Sequence, residues 1–326
     1  MNLTNDSSAL VLLCTHLGLP DDPKPKPLTT KEWVNLELKL AASTITPGHL
    51  SELPAGEIAK MLNIAVEEAQ RLESLFSRGG LVVQEVEELE SAGIWITTRL
   101  DKQYPQRFTD RLGAAAPVLL YGAGNVKLLN RRGLAVVGSR NIDSRSLAVT
   151  EFVGKACAES NLTVYSGGAR GVDKTAMGAA LNAGGTAAGL LADSLAKGCR
   201  APDAREFIED GKLVLATHVS PYAGFTIGTA MARNKLIYAL SDYALVIASD
   251  AEKGGTWAGA EEALKAQWVP VFVLDGPNVP EGNRLLIKRG GISFPESIDA
   301  TSASLEPWLD AHVPATNPTP TQGSLF

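Results

Sequence analysis

The feature that most constrains this chain is a rhythm that begins at Arg131. Short apolar-rich runs, Leu134–Val137, Thr163–Ser166, Thr186–Leu191, Leu213–Thr217, Ala244–Ala248 and Val269–Leu274, alternate with stretches of helical spacing. Runs this short are strands rather than helices. With so few polar residues between their apolar ones, they must be covered on both faces, as a parallel sheet between helices allows. The spacing therefore predicts an α/β protein: a Rossmann-like doubly wound, mostly parallel sheet. Such sheets bind ligands at the carboxyl ends of their strands.

The 326 residues exceed what this sheet needs. Residues 1–100 read as a small helical domain, including a helix-turn-helix over Leu53–Ile64 and Glu67–Phe76. That unit is acidic, and it reads equally as a helical cap or as a DNA contact. Residues 101–300 hold the sheet with a lead-in whose Pro117–Tyr121 segment pairs with or enters it, and residues 301–326 read as a flexible, Pro- and Thr-rich tail. No apolar run approaches the roughly 18 residues of a membrane span, and the N-terminus lacks a basic secretion signal, so a cytoplasmic protein is expected. The three cysteines and four histidines are scattered. They suggest neither a disulfide framework nor a metal site, and no cofactor is expected.

A net charge of −6 argues against indiscriminate binding of nucleic acid. Its distribution is uneven, however: residues 131–240 carry 13 Lys and Arg against 9 Asp and Glu. That excess coincides with the loops after the strands. The first, Gly138-Ser139-Arg140, leads from a strand to a helix opening near Asp143 or Ser144, so free backbone amides and an arginine fork face an anion. An ordinary strand-to-helix turn would look the same.

The second loop, Ser166-Gly167-Gly168-Ala169-Arg170-Gly171, concentrates glycine where backbone must approach something closely, with Arg170 and Lys174 as phosphate contacts and Asp173 as the N-cap of the next helix. A third site is Arg233-Asn234-Lys235, and a fourth is the Gly254-Gly255-Thr256 turn that opens a helix. A fifth segment, Gly282–Gly291, reads as a short basic helix that buttresses the sheet. The pattern is neither a dinucleotide fingerprint nor a Walker loop.

In this order the loops resemble the DNA-processing protein A family. The matching residues are Val137–Arg140, Ser166–Asp173, Arg233–Ile237, Gly254–Thr256 and Gly282–Ile287. The resemblance implies a non-enzymatic, dimeric binder of single-stranded DNA that helps a RecA-type recombinase in transformation or recombination. It implies phosphate contacts at Ser139, Arg140, Arg170, Arg233 and Lys235. The chain departs from the family at Met177, where a His is usual, at Ala230-Met231 in place of Phe-Pro, and at Lys235 in place of Arg. A divergent branch, in a mobile-element or phage-defence setting, would fit those departures.

The tail ends Gln322-Gly323-Ser324-Leu325-Phe326, which resembles a sliding-clamp-binding peptide through Gln322, Leu325 and Phe326, and which a Pro- and Thr-rich tail could also produce by chance. The competing functional expectation is a nucleotide sensor or a nucleoside-monophosphate-cleaving enzyme using Glu261 and Glu262 as acid and base.

Overall fold

A computed structural model describes residues 3–20, 22–296 and 304–314. Nine strands form one sheet: β1 (Ile94–Thr98), β2 (Leu119–Gly124), β3 (Gly133–Val137), β4 (Thr163–Ser166), β5 (Thr186–Leu190), β6 (Leu213–Thr217), β7 (Tyr243–Val246), β8 (Val271–Leu274) and β9 (Ile292–Phe294). Their spatial order is β1-β2-β6-β5-β4-β3-β7-β8-β9. β2 runs antiparallel to both neighbours, and every pair from β6 to β9 is parallel.

The two-residue period of a strand explains why the runs are apolar throughout. On β3, Leu134 and Val136 join one layer with Val149, Val153 and Ala176, while Ala135 and Val137 join the other with Leu236, Ile237 and Ala260. The chain leaves β3 toward β4 and later returns to β7 on the opposite side of β3. Connections after β3 and β7 thus diverge, and a crevice opens between their carboxyl ends.

Before the sheet, helices Asn5–Cys14, Thr30–Ser43, Ala55–Leu62 and Val66–Phe76 gather around Leu10, Trp33, Leu50, Ile58 and Leu72, and a fifth helix, Gly79–Ser91, follows them. Thr29 and Glu32 form a capping box on the second of these helices. Arg78 is turned inward and donates to the carbonyls of Leu12, Thr15, Leu17 and Leu75, satisfying acceptors at and beyond the end of the first helix. Val11, Leu17, Val82 and Leu89 belong to the same apolar layer as Ile94 and Ile96 of β1 and Leu119 and Tyr121 of β2.

Three segments differ from expectation. β9 falls where no strand is expected. β1 lies inside the span read as purely helical. Within the span read as a flexible tail, residues Leu305–His312 form a helix that buries Leu305 and Leu309. Its Trp308 ring stands 5.2 Å from that of Phe294, and Arg132 reaches Glu306 at 2.8 Å. Pro307 is tolerated because it falls in the first turn, where the amide has no helical partner. Gln322, Leu325 and Phe326 lie outside the described residues. No helix among the described residues is long and apolar enough to cross a membrane.

Candidate nucleic-acid interface

The turn after β3 is fixed by its neighbours. Ser139 donates its amide to the Ala248 carbonyl at 2.9 Å, and its own carbonyl accepts from Val172 at 3.3 Å. Asp143 caps the following helix, Ser144–Glu159, by accepting from the Ser146 amide at 2.7 Å. The Ser139 hydroxyl is engaged locally, donating to the Asn141 carbonyl at 2.8 Å. Arg140 extends outward, with its guanidinium carbon 5.6 Å from the centroid of the Phe225 ring.

The turn after β4 is shaped by a charge buried beneath it. Arg233 is only 7% exposed, and its guanidinium occupies the place where a side chain on Gly167 would stand. Its Nη1 lies 3.6 Å from an Asp173 carboxylate oxygen, which also accepts from the amides of Gly167 at 3.2 Å and Ala169 at 3.3 Å. Burial raises the Asp173 carboxyl above its ordinary range and lowers the Arg233 guanidinium, while their proximity favours the charged form of each. Among the described residues Arg233 Nε has no hydrogen-bond partner.

This corrects two expectations. Asp173 is not the N-cap: Gly171, at φ 87°, precedes a helix Val172–Asn182, and Asp173 turns back from its first turn onto the loop. The Gly167 and Ala169 amides, expected to face an anion, already have a carboxylate. Gly171 is required twice over, because any side chain there would meet the carbonyls of Ser139 and Arg140 at 2.5 and 2.7 Å.

Arg233 and Asn234 belong to the helix Ile227–Leu240, which begins at a Thr226 capping box. Asn234 donates to the Gly255 carbonyl at 3.0 Å and so ties this helix to the turn opening the helix Gly254–Ala266. At the far end of the crevice Asn283 is fully buried. It accepts from the Ser249 amide and donates to the carbonyls of Ile247 and Leu274, each at 2.9 Å, which explains the buttressing Gly-Asn-Arg segment.

These loops enclose a cleft of about 660 Å3 above β3 and β7, lined by Gly138, Ser139, Arg140, Arg233, Asn234, Gly254, Gly255 and Thr256 together with Phe225, Ile227 and Met231. An adjoining hollow of about 280 Å3 is lined by Arg140, Gly167, Gly168, Arg170 and Arg233, again with Phe225. Arg140, Arg170 and Arg233 therefore converge on one concavity, with Arg170 held by Asn141 Oδ1 at 2.8 Å.

Lys174 and Lys235 line neither hollow, and Lys235 pairs with Glu262 at 2.6 Å. Glu261, bound by Arg289 and by Lys265 at 3.2 Å, is likewise outside the cleft. Carboxylates so placed do not serve a ligand there. Phe225 was missed as a member of the site, and Asp173 was placed there only as a helix cap. Phe225 carried a usable signal, as an aromatic residue in a Gly- and Thr-bearing loop just before the basic helix. Among the described residues no group of acidic, His and Cys side chains could hold a metal ion.

Residues 95–305 match the family described as DNA recombination-mediator protein A. The chain is 29% identical over 197 residues to the DNA processing protein DprA of Streptococcus pneumoniae, covering 59% of this chain and 67% of that protein. The X-ray structure of the Streptococcus pneumoniae protein is similar with a TM-score of 0.57 at 24% identity, covering 82% of this chain and 95% of that one. DNA processing protein A of Helicobacter pylori, whose structure is described for its single-stranded DNA binding mode, is similar with a TM-score of 0.52 at 26% identity, covering 62% and 92%. A match spanning both arginine-bearing loops and the whole parallel sheet leaves one conclusion: the chain belongs to the DNA recombination-mediator protein A family.

Proposed function

We infer that this protein is a non-catalytic binder of single-stranded DNA that handles strands in recombination or transformation. The observation that carries this reading is the convergence of Arg140, Arg170 and Arg233 on one concavity at the carboxyl edge of the sheet. Arg140 and Arg170 are exposed and able to meet phosphates, whereas buried Arg233 sets the shape and potential of the floor. The Helicobacter pylori relative, described as binding single-stranded DNA, supports the choice of ligand. A RecA-type recombinase is the partner such strand handling serves, a second copy of the chain completes a homodimer, and the tail offers Gln322, Leu325 and Phe326 to a sliding clamp.

Fluorescence anisotropy with labelled oligo-dT across a salt series tests the reading. Binding falls with salt as displaced counterions are lost from the driving force, with a log–log slope of about −0.7 for each phosphate neutralised. Arg140→Ala weakens binding about tenfold at low salt, the worth of one charge-assisted contact. No binding at low salt, or unchanged affinity in Arg140→Ala, would defeat it.

A further inference from the structure

A strand held at Arg140 and Arg170 has to leave the concavity, and one side of its mouth is paved with rings. The loop after β6 presents Tyr222 and Phe225, 65% and 50% exposed. Phe225 borders both hollows of the site, and Tyr222 borders a further hollow that it lines together with Lys197 and Arg200. Three chain steps separate the two residues, so their Cα atoms lie within about 11 Å of each other.

The loop is anchored rather than loose. Ser194 donates to the Ala223 carbonyl at 2.9 Å and Ala196 to the Pro221 carbonyl at 3.0 Å, which fastens it to the segment that carries Lys197 and Arg200. The Thr226 capping box fixes its other end. On its far side Tyr222 meets a hollow bordered by Glu85 and Glu88, whose charge repels phosphates. The open direction for a polyanion is therefore the one with the two cations.

We propose that Phe225 and Tyr222 form a two-step stacking platform for the bases of the outgoing strand, with Lys197 and Arg200 taking its phosphates. The platform rests on the single-stranded DNA reading above and extends it by one segment. Rings interleaved with cations are what sequence-tolerant strand binding requires, since every base has a face to stack and every nucleotide a phosphate. Continuity with the arginine-lined hollow through Phe225 favours a strand over a protein partner at this surface.

Anisotropy on the full chain, with oligo-dT and an abasic strand of equal length, reads the platform directly. Wild type is expected to bind the abasic strand at least tenfold more weakly than oligo-dT, and Tyr222→Ala and Phe225→Ala each to weaken oligo-dT about tenfold with the salt slope unchanged. The double variant should no longer distinguish the two strands. Lys197→Ala with Arg200→Ala should instead flatten the slope by about 0.7 for each lost charge.

Equal affinity of wild type for both strands overturns the platform, and so does an unaltered oligo-dT affinity in Tyr222→Ala, which would leave that ring as a protein-docking residue. If those results come with a large loss in Arg140→Ala, the strand-binding reading survives and only the platform falls. If wild type binds neither strand, both fall together.

Discussion

The Asp173–Arg233 pair shows how much of this site is decided by single side chains. Both are buried, so each is tolerable only because of the other. In Asp173→Asn the amide oxygen still accepts from the loop, but the guanidinium charge loses its counterpart. Urea denaturation should show a loss of about 3 kcal/mol, within the range for breaking a buried pair. Gly167→Ala acts from the other direction, because its methyl overlaps the Arg233 guanidinium and must expel it. Oligo-dT affinity should fall about tenfold while the far-ultraviolet spectrum is kept, as expected if one ionic group of the floor is misplaced. The exposed arginines were legible because Gly-Arg turns after strands advertise themselves. Asp173 was not, since local capping preference cannot see a partner on a helix far along the chain.

Among the elements, the parallel strands β3 to β8 were legible to within a residue or two because their apolar runs answer to the whole sheet, whereas the three-residue β9 was too short to show a run of its own. β1 was less so: its Ile94-Trp95-Ile96-Thr97-Thr98 run follows a helix directly and is held by pairing with β2, a long-range fact. The helix Leu305–His312 hid behind Pro307 and a Thr-rich setting. Leu309→Ala should cost about 3 kcal/mol, the usual scale for a fully buried leucine, measured as a lowered urea midpoint.

The helix Thr30–Ser43 carries a pH dependence of its own. The Arg71 guanidinium, helped by the amide and hydroxyl of Thr29, holds the Glu32 carboxyl at about 2, below its ordinary 4.5. A carboxyl depressed by folding stabilises the protein above its unfolded value, and that contribution disappears as pH falls from 4.5 toward about 2. Half-exposed as the pair is, solvent screening limits it to about 1 kcal/mol. Glu32→Gln should therefore unfold at lower urea than wild type at pH 7, with the two curves converging near pH 2.

At the scale of the whole molecule, an acidic chain concentrates positive charge where its sheet changes direction. The fold class and the general position of the ligand edge could be read from the sequence, because strand order and helix placement follow from chain chirality and connectivity. The union of the helical unit with the sheet could not. It depends on Val11, Leu17, Val82 and Leu89 sharing a layer with β1 and β2.

Because β1 covers the outer side of β2, the first ninety-odd residues are no detachable appendage. A shortened chain starting after Leu100 would bare a row of unpaired amides and carbonyls along β2, an invitation to edge-to-edge self-association. Light scattering should find that fragment polydisperse, whereas the full chain, which keeps β1 and the helices packed against it, should stay better dispersed.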